Sequence, residues 1–126
     1  MPGKLFMILG SLNLFLGVAL GAFGAHGLRA RVPPEMLAVW HTAVLYQLVH
    51  ALGLLAVGLV LPQLTATSVV AGAGWLMLGG IVVFSGSLYV LVLTGARWLG
   101  AVTPFGGVLF LLAWLLLAWG VWKGWR

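Results

Sequence analysis

Read for hydrophobic and polar positions, the chain is four long apolar stretches separated by short polar breaks. They cover residues 5–28, 35–61, 69–94 and 104–122, to within a residue or two at each end. Each can cross a bilayer as a helix, since a residue adds about 1.5 Å and the hydrocarbon core is about 30 Å thick. The second stretch is uneven: Ala51–Leu61 is strictly apolar, and the half before it carries polar groups. Residues 29–34, Arg-Ala-Arg-Val-Pro-Pro, close the first helix, and the proline pair starts the second with Glu35 in its first turn, where the helix dipole favours a carboxylate. Pro62 ends the second helix, and Thr65, Thr67 or Ser68 is expected to cap the third. Thr103-Pro104 reads as an N-cap followed by proline at the first helical position. Short breaks make consecutive helices antiparallel neighbours. The expected fold is therefore an all-α membrane protein, one domain of four transmembrane helices in an up-down-up-down bundle.

Small residues add a second pattern. Gly10, Gly17 and Gly24 step by seven in the first helix, as do Gly72, Gly79 and Gly86 in the third and Gly106, Ala113 and Gly120 in the fourth. Gly21 and Ala25 extend the first row, with Asn13 one turn earlier. A seven-residue step keeps small side chains on one face, and in lipid close packing has to hold helices together. Such seams serve either the fold of one chain or its docking to another.

Composition confirms the solvent. Hydrophobic residues make up 63% and charged residues 6%, against roughly 45–50% and about 25% in soluble domains. The net charge of +5 comes from six dispersed basic residues and the single acid Glu35, with no basic stripe of the kind that tracks nucleic acid. Lys4, Arg29, Arg31, Arg97, Lys123 and Arg126 instead fall near helix ends, where anionic headgroups lie. Three fall on each side of the membrane, so only the terminal amine favours cytoplasmic termini. Trp40, Trp98, Trp122 and Trp125 fall near span ends, as in an interfacial aromatic belt. Lys4, an apolar run and Ala22-Phe23-Gly24 mimic a secretory signal, but the run is too long for a signal core, and the stretch is read as a retained helix.

Few residues offer chemistry. On a helix, Glu35, Thr42, Tyr46 and His50 fall within about 80° of one another, with Gln47 at the border. A polar stripe at depth should face the bundle interior or a wet cavity. It can serve structure, with Tyr46, Gln47 and His50 bonding across the bundle to Asn13, Ser85, Ser87 or Tyr89. It can serve transport, with His50 relaying protons or ions and Glu35 at the mouth. A third reading joins His26 and His50, with Met36, around a metal or haem. Against that reading, His26, His41 and His50 lack the i, i+3 or i+4 spacing that puts two imidazoles on one face. Glu35 also has a plain role available, pairing with Arg29, Arg31 or His26 at the hairpin. There is no cysteine and no carboxylate pair, and no nucleophile with an evident base. The reading is a non-enzyme with no cofactor and no metal. Its expected partners are membrane lipids and either further copies of itself or a larger membrane complex.

Four segments carry a resemblance: Leu20-Gly21-Ala22-Phe23-Gly24-Ala25-His26, then Tyr46-Gln47-x-x-His50, then Phe84-Ser85-Gly86-Ser87-Leu88-Tyr89, then Thr103-Pro104-x-Gly106-Gly107. The chain resembles, over nearly its whole length, the YgdD/YwdK-like small bacterial inner-membrane proteins, domain of unknown function family 423. The resemblance implies four helices in the inner membrane and cytoplasmic termini, and it brings no established activity. The chain departs from the family pattern in having no Lys or Arg at 62–68, and in having His41 where relatives can have Gln.

Overall fold

The computed structural model describes residues 2–126 and is helical throughout, with four helices long and apolar enough to span a membrane: Gly3–Leu28, Pro34–Gln63, Ser68–Thr94 and Arg97–Gly124. We label the α-helical parts α1 (Pro2–Phe23), α2 (Pro34–Val60), α3 (Ser68–Gly80), α4 (Gly86–Thr94) and α5 (Thr103–Gly124). A π turn, Gly24–Leu28, continues α1, and a second, Ile81–Ser85, joins α3 to α4 within the third span. The spans pack as a bundle in which α2 and the third span are central, α1 lies chiefly on α2, and α5 lies chiefly on α3.

Local chemistry explains the ends. Pro33 is extended (φ −60°, ψ 155°), and Pro34 opens α2 where no amide donor is needed. Gly95 closes α4 in the left-handed region at φ 74°, its N–H bonded to the Leu91 carbonyl at 2.7 Å. The expected side-chain caps are absent. Thr67 precedes α3 without capping it, and Thr65 bonds the Gly124 carbonyl instead. Thr103 lies inside α5, which follows directly on a 3-10 turn, Arg97–Ala101. Its hydroxyl reaches back to the Leu99 carbonyl and across to Ser87. The C-terminal residues are tied to the 62–68 loop by Thr65 N–H to Gly124 carbonyl at 2.8 Å and Arg126 N–H to Gln63 carbonyl at 3.1 Å.

The glycine rows divide into used and unused. A side chain at Gly10 would meet the Ala51 carbonyl, at Gly17 Leu48, and at Gly24 the Trp40 ring. The first row is thus the α1/α2 seam, and Gly21 borders it against Val44. Gly106 abuts the main chain of Phe84, Gly120 abuts Val70, and Ala113 is fully buried, so the α5 row is also internal. The third-span row is the exception. Gly72 has open space, Gly79 faces only the edge of Leu109 at 3.7 Å, and Gly86 faces only the carbonyl of Ile81 in its own span. The glycines that receive neighbours there are Gly74, against Phe6, and Gly80, against Phe110.

The tryptophan belt also needs correction. Trp98, Trp122 and Trp125 are exposed, but Trp40 is 1% exposed, with its indole N–H on the Leu20 carbonyl at 2.8 Å. It lies in the notch that Gly24 leaves open and is an anchor of the α1/α2 hairpin.

Candidate functional site

Polar groups at depth are drawn into hydrogen bonds because lipid offers no alternative partner. Gln47 lies about 20 Å along α2 from Pro34 and is buried. Its carbonyl oxygen accepts from the Tyr89 hydroxyl at 2.6 Å, and its amide donates to Asn13 Oδ1 at 3.3 Å. Asn13 in turn donates to the Leu9 carbonyl at 2.9 Å. One amide therefore links α1, α2 and α4, and the side-chain oxygens of Gln47 and Asn13 each have a donor.

His50, one turn further along α2, is closed in the same way. Nδ1 lies 2.8 Å from the Tyr46 carbonyl, and Nε2 lies 2.9 Å from the indole nitrogen of Trp114. An indole N–H can only donate and a carbonyl can only accept. Nε2 is therefore the acceptor and Nδ1 carries the proton. The ring stacks on Phe110 with centroids 3.5 Å apart and planes 9° apart.

The remaining sequence-predicted residues disperse. Ser85 is fully buried on the π turn and donates to the Ala43 carbonyl of α2 at 2.7 Å. Ser87 meets the Thr103 hydroxyl at 2.6 Å, joining α4 to α5. Glu35 and Thr42 are exposed on the outer part of α2, and Thr42 bonds the Ala38 carbonyl of its own helix. The stripe is therefore not one interior face: Gln47 turns toward α1 and α4, His50 toward α5, and Glu35 and Thr42 outward. His26 is exposed at the end of α1, beside the Trp40 level of α2. That places it roughly 15–20 Å along the bundle from His50, too far to share a metal. Among the described residues no cluster of three His, Cys, Asp or Glu could hold an ion.

Tyr46 is the residue left over. It is 41% exposed, and its ring packs on Phe84 at 4.6 Å and lies parallel to Phe110 at 6.2 Å. Among the described residues its hydroxyl takes part in no hydrogen bond, unlike that of Tyr89. It lines a cleft of about 430 Å³ with His50, Phe84, Phe110, Trp114 and Gly107. Phe84 is presented by the π turn, a helix defect frequent at functional sites. Sequence reasoning placed Tyr46 and His50 but missed Phe84, Phe110 and Trp114. An aromatic in an apolar span carries no signal until its neighbours are known. A second groove, of about 470 Å³ beside Gly3, Met7, Gly58 and Pro62, is apolar except for Lys4 and Ser11, and the Ser11 hydroxyl is bonded to the Met7 carbonyl.

Residues 20–107 match the family model described as protein of unknown function DUF423. The chain belongs to the DUF423 family. It is similar to the UPF0382 membrane protein YwdK of Bacillus subtilis, 52% identical over 114 residues, covering 90% of this chain and 93% of that protein. The UPF0382 membrane protein SSP2132 of Staphylococcus saprophyticus is 51% identical over 120 residues, 95% of this chain and 98% of its own. No solved structure matches. The matched region of the family model ends at Gly107 and so takes in Tyr46, His50, the π turn and Phe84. Phe110 and Trp114 lie outside it. Four spans and these relatives together make the chain a multi-pass bacterial membrane protein.

Proposed function

We propose that the chain is a non-enzymatic accessory component of the inner membrane, acting by lateral association with further copies of itself or with a larger membrane complex. The observation that carries this reading is the third-span row Gly72, Gly79 and Gly86, the seven-step row that no helix of the chain packs against closely: Gly72 is open and Gly79 meets only the edge of Leu109. Small-residue rows let helices approach closely, which is the main source of attraction between helices in lipid. The polar groups at depth support the same reading. Gln47, His50, Ser85 and Ser87 are bonded to neighbouring helices and serve to fix register. A transport path along α2 is the weaker alternative, since Gln47 turns away from Tyr46 and His50 toward α1 and α4, and Gln47 and His50 are already engaged.

Native mass spectrometry of the protein in its own lipids tests the proposal. A defined oligomer or a bound partner is expected, and Gly72→Leu should disperse it while leaving the helical content unchanged. A bare monomer, or an assembly indifferent to Gly72→Leu and Gly79→Leu, would sink the reading. We infer cytoplasmic termini from the family resemblance. A single cysteine introduced at position 65, labelled by an impermeant maleimide in intact cells, would overturn that.

A further inference from the structure

We propose that the cleft between α2, the π turn and α5 is a binding site for a lipid-soluble molecule with a flat ring and a carbonyl acceptor, the chemistry of a quinone head group. The lip of the cleft is formed by Val108 and Leu111, both more than half exposed on the outer face of α5. In a membrane-spanning bundle that opening faces the hydrocarbon, so a ligand enters from the bilayer.

The lining defines what can enter. Its polar groups are closed except one: His50 uses both nitrogens and Trp114 uses its only N–H, which leaves the Tyr46 hydroxyl. That hydroxyl lies on a residue about 18 Å along α2 from Pro34, within the hydrocarbon, where an unbonded hydroxyl is costly. Water does not resolve this, because an ordered water needs two to four polar partners and the cleft offers one. An apolar molecule carrying an acceptor oxygen does resolve it. The walls favour a flat one: the Tyr46, His50 and Phe110 rings lie within 16° of parallel, and Phe84 borders them at 4.6 Å from Tyr46. The volume of about 430 Å³ suits a substituted ring and the first part of a tail. Gly107 forms part of the wall, and a Cβ there would stand 4.0 Å from Phe84 Cδ2, so a larger side chain at 107 enters the cleft without moving the backbone.

The test titrates the full chain in phosphatidylcholine nanodiscs with a decyl-substituted benzoquinone and reads bound mass by native mass spectrometry. Saturable one-to-one binding is expected. Tyr46→Phe keeps the ring and removes the donor, and should weaken binding roughly three- to tenfold, the range of one net hydrogen bond. Gly107→Leu should abolish binding with the circular-dichroism spectrum unchanged, and decylbenzene, which lacks the carbonyl, should bind no better than to Tyr46→Phe. Unsaturable uptake, identical in both variants, would overturn the proposal. Equal binding of decylbenzene and the quinone would assign the cleft to an acyl chain and overturn the carbonyl requirement.

Discussion

The same substitution, glycine to alanine, should have opposite effects at two positions that the seven-residue rhythm makes look alike. At Gly72 a Cβ meets nothing within 4 Å. Alanine there gains the usual helix preference over glycine, about 0.5–1 kcal/mol. At Gly106 a Cβ would fall on the amide nitrogen, Cα and Cβ of Phe84. Two of those three atoms are main chain in the π turn, so no rotamer change relieves the overlap and α5 must move away from the third span. Overpacking costs about 1–3 kcal/mol, and separating the helices also loosens the Ser87–Thr103 hydrogen bond one turn away. The helix-preference gain is small so near the start of α5. Gly106→Ala should therefore lower stability by about 1–3 kcal/mol, while Gly72→Ala raises it by up to about 1 kcal/mol. Reversible unfolding in mixed micelles with rising dodecyl sulfate, followed by circular dichroism, measures both. Working in dilute micelles keeps lateral association out of the comparison. If the two variants shift stability in the same direction by similar amounts, the division of the glycines into used and unused rows is wrong.

Two further outcomes follow from the polar groups. Tyr89→Phe leaves the Gln47 oxygen without its donor and should cost about 0.6–2 kcal/mol, between the mean for membrane hydrogen bonds and the desolvation cost of a buried acceptor. Adding Gln47→Leu should then cost less than the sum of the single changes, and strict additivity in a double-mutant cycle would mean the two groups are not bonded. For His50, nitrogen NMR of histidine-labelled protein should show the neutral form with the proton on Nδ1, and Trp114→Phe should alter the Nε2 signal; a proton found on Nε2 would refute the bond from Trp114.

The layout of the fold was readable because the bilayer makes it a matter of length and composition. Four runs near 20 residues or longer, divided by Pro33-Pro34, Pro62 and Gly95, leave a helical bundle as the way to satisfy the backbone in lipid. What lay hidden was phase. The buried positions of the third span run Val70, Ala73, Gly74, Met77, Gly80, Ile81, Ser85, Ser87, Leu88, Leu91 and Val92. From Met77 to Ile81 to Ser85 the step is four twice in succession, where the wider π turn lies. A strict seven-step reading chose Gly72, Gly79 and Gly86, which fall beside the packed face. In α1 and α5 the same rule finds the packed face, whereas in the third span Gly72 and Gly79 already miss it within α3, before the π turn, because the close contacts fall at Gly74 and Gly80. Trp40 was misread for a related reason. Its nearness to the start of α2 matches an aromatic belt, and only the notch at Gly24 on another helix reveals it as core.

The polar residues show why their number is a poor guide to function in a membrane. Asn13, Gln47, His50, Ser85, Ser87 and Tyr89 satisfy one another or nearby carbonyls across helices, and each such pair removes two groups that would otherwise seek a ligand or an ion. Depth alone would have ranked His50 first for chemistry. Its two bonds, to Tyr46 carbonyl and Trp114, instead make it part of the wall. Tyr46, more exposed and a weaker candidate by sequence, keeps the one free donor beside an aromatic cleft that opens to lipid. In a solvent that offers no hydrogen bonds, the group without a partner carries more information than the group that is merely ionisable. That is why the search for a ligand of this fold starts at the Tyr46 hydroxyl.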